Sequence, residues 1–188
     1  MENTDIQLAR FDKGYLISWL ELFSNEPVSQ IECILLKGDA SDRNYYRVKY
    51  ALKSSPEIQC SVIIMQLAKL ETEPDFNCMQ KFLRNLDIPV PEIFHFDAKK
   101  GLLFLMDFGD IHLADKITKE PEKTVFWYQK AIDIIVAFHI QATDTTASDL
   151  PAYSLFFDEE KLMWEMDFML EHYVRGMLKS KLTNAEMS

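Results

Sequence analysis

Cysteine, glycine and basic charge are scarce in this chain of 188 residues, and a long apolar run is missing altogether. The three cysteines, Cys33, Cys60 and Cys78, are odd in number and widely separated. That excludes a disulfide framework and CxxC metal spacing, and leaves them as small buried hydrophobes. The four histidines, His95, His112, His139 and His172, show no HExxH or HxH spacing, so no metal site is expected from them. Among the five glycines there is no GxxxxGK followed by Ser or Thr, no GxGxxG after a strand and no GxSxG nucleophile elbow. Lysine and arginine number 20 against 30 acids, a formal charge of −10. No basic stripe interrupts that field, which excludes nucleic acid as an expected partner. No apolar run approaches the roughly 20 residues of a membrane span, and Met1-Glu2-Asn3-Thr4-Asp5 has neither the basic nor the apolar character of a leader. No membrane partner is expected, and the expected location is the cytoplasm.

What is present is the composition of a globular protein, 48% hydrophobic and 27% charged, with enough chain to bury roughly 70% of its unfolded surface. Residues 5–24 repeat apolar positions at helical spacing, with Asp5 as the expected N-cap and Pro27 just past the end. Strands are expected at 31–37, 44–53 and 59–67, the last rich in β-branched residues, as an antiparallel meander. Glu73-Pro74-Asp75 opens a helix whose inner face is expected to be Phe76, Met79, Phe82, Leu83 and Leu86. Two more strands, 92–96 and 102–107, flank the turn Asp97-Ala98-Lys99-Lys100-Gly101. Every segment after Gly109 reads as helix, near 112–118, 121–142 and 158–179. The pattern is α+β, with a mixed lobe over 1–108 and a partial helical lobe over 109–188.

The polar turn Gly38-Asp39-Ala40-Ser41-Asp42-Arg43-Asn44 lies between two strand-like runs, and Arg47 follows close behind. Backbone amides near an arginine form a cradle for an anionic group, although the same composition fits a plain solvated hairpin. At the residue level the chain resembles the aminoglycoside phosphotransferase superfamily. Within it the chain is similar to the bacterial amino-sugar kinases that phosphorylate N-acetylmuramate and N-acetylglucosamine at the anomeric hydroxyl. The matching pieces are GDASDRNYYRV at 38–48, FLRNLDIPVPEIFHFD at 82–97, GLLFLMDFGD at 101–110 and LPAYSLFFDEEKLMWEMDFM at 150–169, in the family's order. The resemblance implies a protein-kinase-like fold whose first lobe carries a five-stranded antiparallel sheet, with ATP between the lobes. It also implies that Gly38, Asp39, Ala40 and Ser41 turn their amides to the nucleotide phosphates and that Arg43 or Arg47 supplies positive charge. Ile63 or Met65 would face the purine, and Leu105, Met106, Asp107 and Phe108 would form a hinge that binds adenine through its main chain.

Two departures limit the expected activity. Kinase-like enzymes place a lysine in the third strand, but here the centre reads Val62-Ile63-Ile64-Met65, and the nearest, Lys69, comes after it. The family's HxDxxxxN loop and its later Asp-containing strand, which orient the acceptor and hold magnesium, do not occur in the 188 residues. ATP is thus the expected ligand and a small-molecule sugar the implied acceptor, with Mg2+ a family cofactor whose ligands are not among these residues. No catalytic residue and no metal ligand is assigned. The acids Asp158, Glu159, Glu160, Glu165 and Asp167 suit a helix N-terminus, with a minor acceptor-side role implied only by the resemblance. The expected activity is an ATP-dependent phosphotransferase inactive as this chain, and the alternative is a non-catalytic nucleotide-binding or interaction protein.

The helix expected at 158–179 carries apolar residues around more than one side, which a lone helix leaves uncovered. Self-association through it is expected. Size-exclusion chromatography with light scattering should give a mass above that of the 22.0 kDa chain, and a sharp monomer peak at all concentrations would oppose it.

Overall fold

Asp12 starts the first helix by accepting the Tyr15 amide on its side chain at 2.7 Å, which satisfies one of the donors that a helix N-terminus leaves open. The computed structural model describes residues 10–36, 42–143, 150–154 and 156–179. The expected cap Asp5 lies outside them. Helix α1 runs Lys13–Ser24 and ends on Asn25 in the left-handed conformation. Five strands follow, β1 (Val28–Leu35), β2 (Asn44–Leu52), β3 (Ser55–Gln66), β4 (Ile93–Asp97) and β5 (Leu102–Met106), with helix α2 (Asp75–Asn85) between β3 and β4. They form one sheet in the order β1-β2-β3-β5-β4 with every neighbouring pair antiparallel. The architecture is α+β around a five-stranded antiparallel sheet, as the strand pattern predicts.

Alternation along the strands divides the core into two layers. On one face Tyr46, Val48, Val62, Ile64, Leu102 and Phe104 pack with Phe11, Leu16 and Leu20, the last two from α1. Trp19 stacks on Phe104 with ring centroids 4.0 Å apart. On the other face Met65, Leu103 and Leu105 pack with Ile63, Phe76 of α2, Ile93 and Phe96. The hydroxyl of Tyr15 donates to Asp97 at 2.7 Å and so ties α1 to the β4–β5 hairpin. Burial and this carboxylate push the Tyr15 phenol well above its ordinary value. The hairpin turns through Gly101 at φ +62°, where a Cβ would lie 2.8 Å from the Arg10 guanidinium, so the turn requires glycine.

Helix α2 departs from its expected inner face. Asn77 and Gln80 are the buried positions, while Phe76, Met79, Phe82, Leu83 and Leu86 are half-buried. The reason at Gln80 is a hydrogen bond, its amide donating to the Pro91 carbonyl at 3.0 Å. A loop carbonyl brought inward needs a donor, and an apolar residue there would leave it unsatisfied.

The chain divides into two compact units, Met1–Thr146 and Ala147–Ser188, and the change from strand to helix after Met106 lies inside the first. The first unit continues with α3 (Leu113–Lys119), a single 3₁₀ turn (Pro121–Lys123) and α4 (Thr124–Thr143). In the second unit α5 (Glu159–Met169), capped by Asp158, leads into a π-wound stretch over Leu170–Met177. The sequence predicts one continuous helix there. The wider winding shows in the Leu178 amide bonding to the Tyr173 carbonyl five residues back. Leu162, Met163, Trp164, Met166 and Phe168 are all exposed. No helix among the described residues is long and apolar enough to cross a membrane.

Phe104 is fully buried and Ile58 is 57% exposed. Phe104→Ala should lose about 3–5 kcal/mol through lost transfer energy and the cavity left behind, whereas Ile58→Ala should stay within about 0.5 kcal/mol. Urea denaturation followed by tryptophan fluorescence measures both.

Candidate functional site

The face of the sheet under α2 carries the residues that the sequence singles out. Arg47 of β2 pairs in register with Ile63 of β3, Ile63 with Leu105 of β5, and Leu105 with Ile93 of β4. Tyr45, Met65 and Leu103 form the parallel row, two residues along. Four of the expected site residues, Arg47, Ile63, Met65 and Leu105, therefore share one surface. They share it because they are register partners on neighbouring strands or lie two residues apart along one strand, where alternate side chains point the same way.

Arg47 is the centre of this surface. Its Nη2 donates to Asp107 Oδ1 at 3.0 Å, and its Nε lies 2.8 Å from Asp107 Oδ2 as an ionic contact, its N–H out of line for a hydrogen bond. Nη1 reaches both carboxylate oxygens of Asp110, at 2.7 and 2.6 Å. The two carboxylates differ sharply in setting: the Arg47 and Asp107 side chains are 10% and 6% exposed, the Asp110 side chain 80%. Burial alone would raise the Asp107 carboxyl. It is held below the usual carboxylate range because the Gly109 amide, Ser61 and the Arg47 guanidinium all favour its anion. Hydrogen bonds donated to Asp110 and Asp107 hold the Arg47 guanidinium above its ordinary value, outweighing desolvation.

Local sequence explains how Asp107 reaches this position. β5 ends at Met106, and Asp107 Oδ1 accepts the amide of Gly109 at 2.8 Å, a side chain closing its own turn. Gly109 adopts φ +75°, open to glycine at no steric cost. The turn returns Asp110 to the outer side of the guanidinium. One cation against two acids leaves the cluster with a formal charge of −1.

The remaining expected residues are distributed differently. Arg43 sits half-buried with Nη1 4.0 Å from the sulfur of Met65. Met65 is fully buried and Leu105 nearly so, while Ile63 and its row neighbour Ile93 are half-buried. Met106 and Phe108 are exposed, at 45% and 63%. Gly38, Asp39, Ala40 and Ser41 lie outside the described residues. The resemblance puts Asp107 in the hinge, and in the sequence alone Asp107 and Asp110 also read as plain turn residues. Their pairing with Arg47 spans 60 and 63 positions, a separation that leaves no local pattern to read. Among the described residues no group of three or more His, Cys, Asp or Glu side chains is placed to hold a metal ion.

No protein-family model matches this chain, and no curated protein matches it.

Removing one member of a buried ion pair strands the other, so Arg47→Met should cost about 3–5 kcal/mol. Asp110→Asn should cost less than about 1 kcal/mol, because Asp110 faces solvent. A carboxyl whose folded value lies below its ordinary 3.8 stabilises the fold above that value, and the contribution disappears as pH falls through the folded value. Urea midpoints of the native chain should therefore drop on acidification below about pH 4, and Asp107→Asn should remove part of that drop. A midpoint unaffected by Arg47→Met would refute the assignment.

Proposed function

We propose that this chain is the nucleotide-binding part of an ATP-dependent small-molecule phosphotransferase of the aminoglycoside phosphotransferase type, in its amino-sugar kinase branch, working in the cytoplasm. The observation that carries the reading is the element order α1-β1-β2-β3-α2-β4-β5 on one antiparallel sheet, with β5 running straight into a tethered turn and then into helices. That order supports a kinase-like lobe whose sheet face receives a nucleotide. Ile63 offers the apolar surface for a purine, and the main chain of Asp107 and Phe108 supplies N–H and C=O groups beside it, since Leu105 and Met106 of the expected hinge are already paired within the sheet. Self-association through α5 belongs to the same proposal.

A specific observation favours the second reading, a nucleotide-binding protein that does not transfer phosphate. Arg47 has two edges of its guanidinium engaged, one by Asp107 and one by Asp110, so it works as a clamp between β2 and the residues after β5. The cluster's charge of −1 repels a polyphosphate more than it attracts one. No step through the family's magnesium is assigned to this chain.

Thermal-shift titration separates the readings. ATP and ADP should each raise the midpoint of the native chain, with saturation, and magnesium should change the shift little. Incubation of the same chain with ATP and N-acetylglucosamine or N-acetylmuramate should yield no sugar phosphate. Absence of any nucleotide shift would remove the nucleotide-binding reading, and robust sugar phosphate would restore full catalysis to the chain.

A further inference from the structure

Among the described residues the first strand is an edge of the sheet, with a hollow beside it on each face. The Leu36 amide donates to the Tyr45 carbonyl at 2.8 Å, which fixes the phase of the β1–β2 ladder. In an antiparallel pair the bonded residues alternate, so Ile34, Glu32 and Gln30 turn their main-chain groups to β2. Ile31, Cys33 and Leu35 turn theirs away from it. No described strand lies beyond β1, and an open row of N–H and C=O groups is a template for another chain.

The two sides of this edge differ chemically. Toward α1, a cavity of about 200 Å³ is walled by Phe11, Leu16, Ile31 and Cys33, with Asp12 and Lys13 at its rim. An apolar cavity of about 150 Å³ suffices for benzene, so this one has room for one branched aliphatic side chain. On the opposite side a groove of about 420 Å³ is lined by Gln30, Glu32, Lys49 and Glu57 among others. Glu32 and Glu57 are exposed and, among the described residues, form no ion pair. A strand added to β1 places successive side chains by turns in the apolar cavity and over the groove, where Lys49 stands in register with Glu32 and the two glutamates outnumber the one lysine.

We propose that β1 is a docking edge for an extended segment of a partner protein in which apolar and basic residues alternate. The main chain of Ile31, Cys33 and Leu35 supplies the hydrogen bonds, the cavity under α1 takes an aliphatic side chain, and Glu32 with Glu57 selects lysine or arginine on the other side. The −10 charge of the chain draws a basic segment in and makes its capture sensitive to salt. A second copy of β1 is the poorer occupant. Its only charge is Glu32, which would bring acid toward acid, and the register shift between Val28 and Gln30 roughens the edge.

The probe is a capped synthetic peptide alternating lysine with leucine, added to the full chain while amide exchange is followed by NMR. Saturable binding should slow exchange at Ile31, Cys33 and Leu35 by roughly tenfold or more, as expected for amides newly bonded in a ladder. A peptide of the same composition in block order should not do so, nor should the alternating peptide N-methylated on its bonding edge. Cys33→Pro removes an outward donor and should weaken binding at least tenfold, and Glu32→Lys should weaken it several-fold. The N-methylated peptide keeps the test decisive if Cys33→Pro fails to fold. Unchanged exchange at the three amides, equal binding of the block peptide, or concentration-dependent protection without peptide would each overturn the proposal, the last by showing a second copy on the edge.

Discussion

A guanidinium carried in the middle of a sheet has to be neutralised where it stands, and Arg47 constrains the first unit in this way. Its neighbours in register are Ile34 and Ile63, which offer it no hydrogen bond. The compensation comes from Asp107 and Asp110, one residue and four residues past the end of β5. The carboxylate that faces inward is itself satisfied by the Gly109 amide and Ser61, so neither member of the inner pair is stranded. A pair of this kind adds little net stability over an apolar one, but its loss is costly, and it admits only one position of the exit turn relative to β2. The turn that leaves the sheet is therefore fixed by an interaction made far from it in sequence.

The two core layers supply most of the cohesion around that clamp. Phe104 and Trp19 stack over one face and Met65, Leu103 and Leu105 fill the other, each layer closed by its own helix. The buried polar residues obey the same rule as Arg47, since Gln80 is inside because the Pro91 carbonyl is inside.

Much of the fold is legible along the sequence. β2 begins at Asn44 as the alternation predicts, α2 starts just after Pro74, and the Asp97–Gly101 turn joins β4 to β5. The apolar repeat expected over 5–24 includes Leu16 and Leu20, the two buried residues of α1. The candidate site is legible only in part. Ile63, Met65, Leu105 and Arg47 follow from strand alternation once the register is known, but how far each is covered is set by packing from elsewhere in the chain. The winding change at Leu170 has no signature in a helical repeat that continues unbroken through it.

By itself the sequence determined the kinds and order of the elements, the acidic charge and the absence of metal-binding or phosphate-loop motifs, because each is written in near neighbours or in composition. Only the tertiary structure decided that Arg47 is held by Asp107 and Asp110, that α2 buries Asn77 and Gln80, and that Ile31, Cys33 and Leu35 face outward from the sheet edge. Hydrogen-bond partners separated by 60 positions are set by strand register and helix placement, which minimise unsatisfied polar groups over the whole lobe and leave no trace in any local stretch of residues.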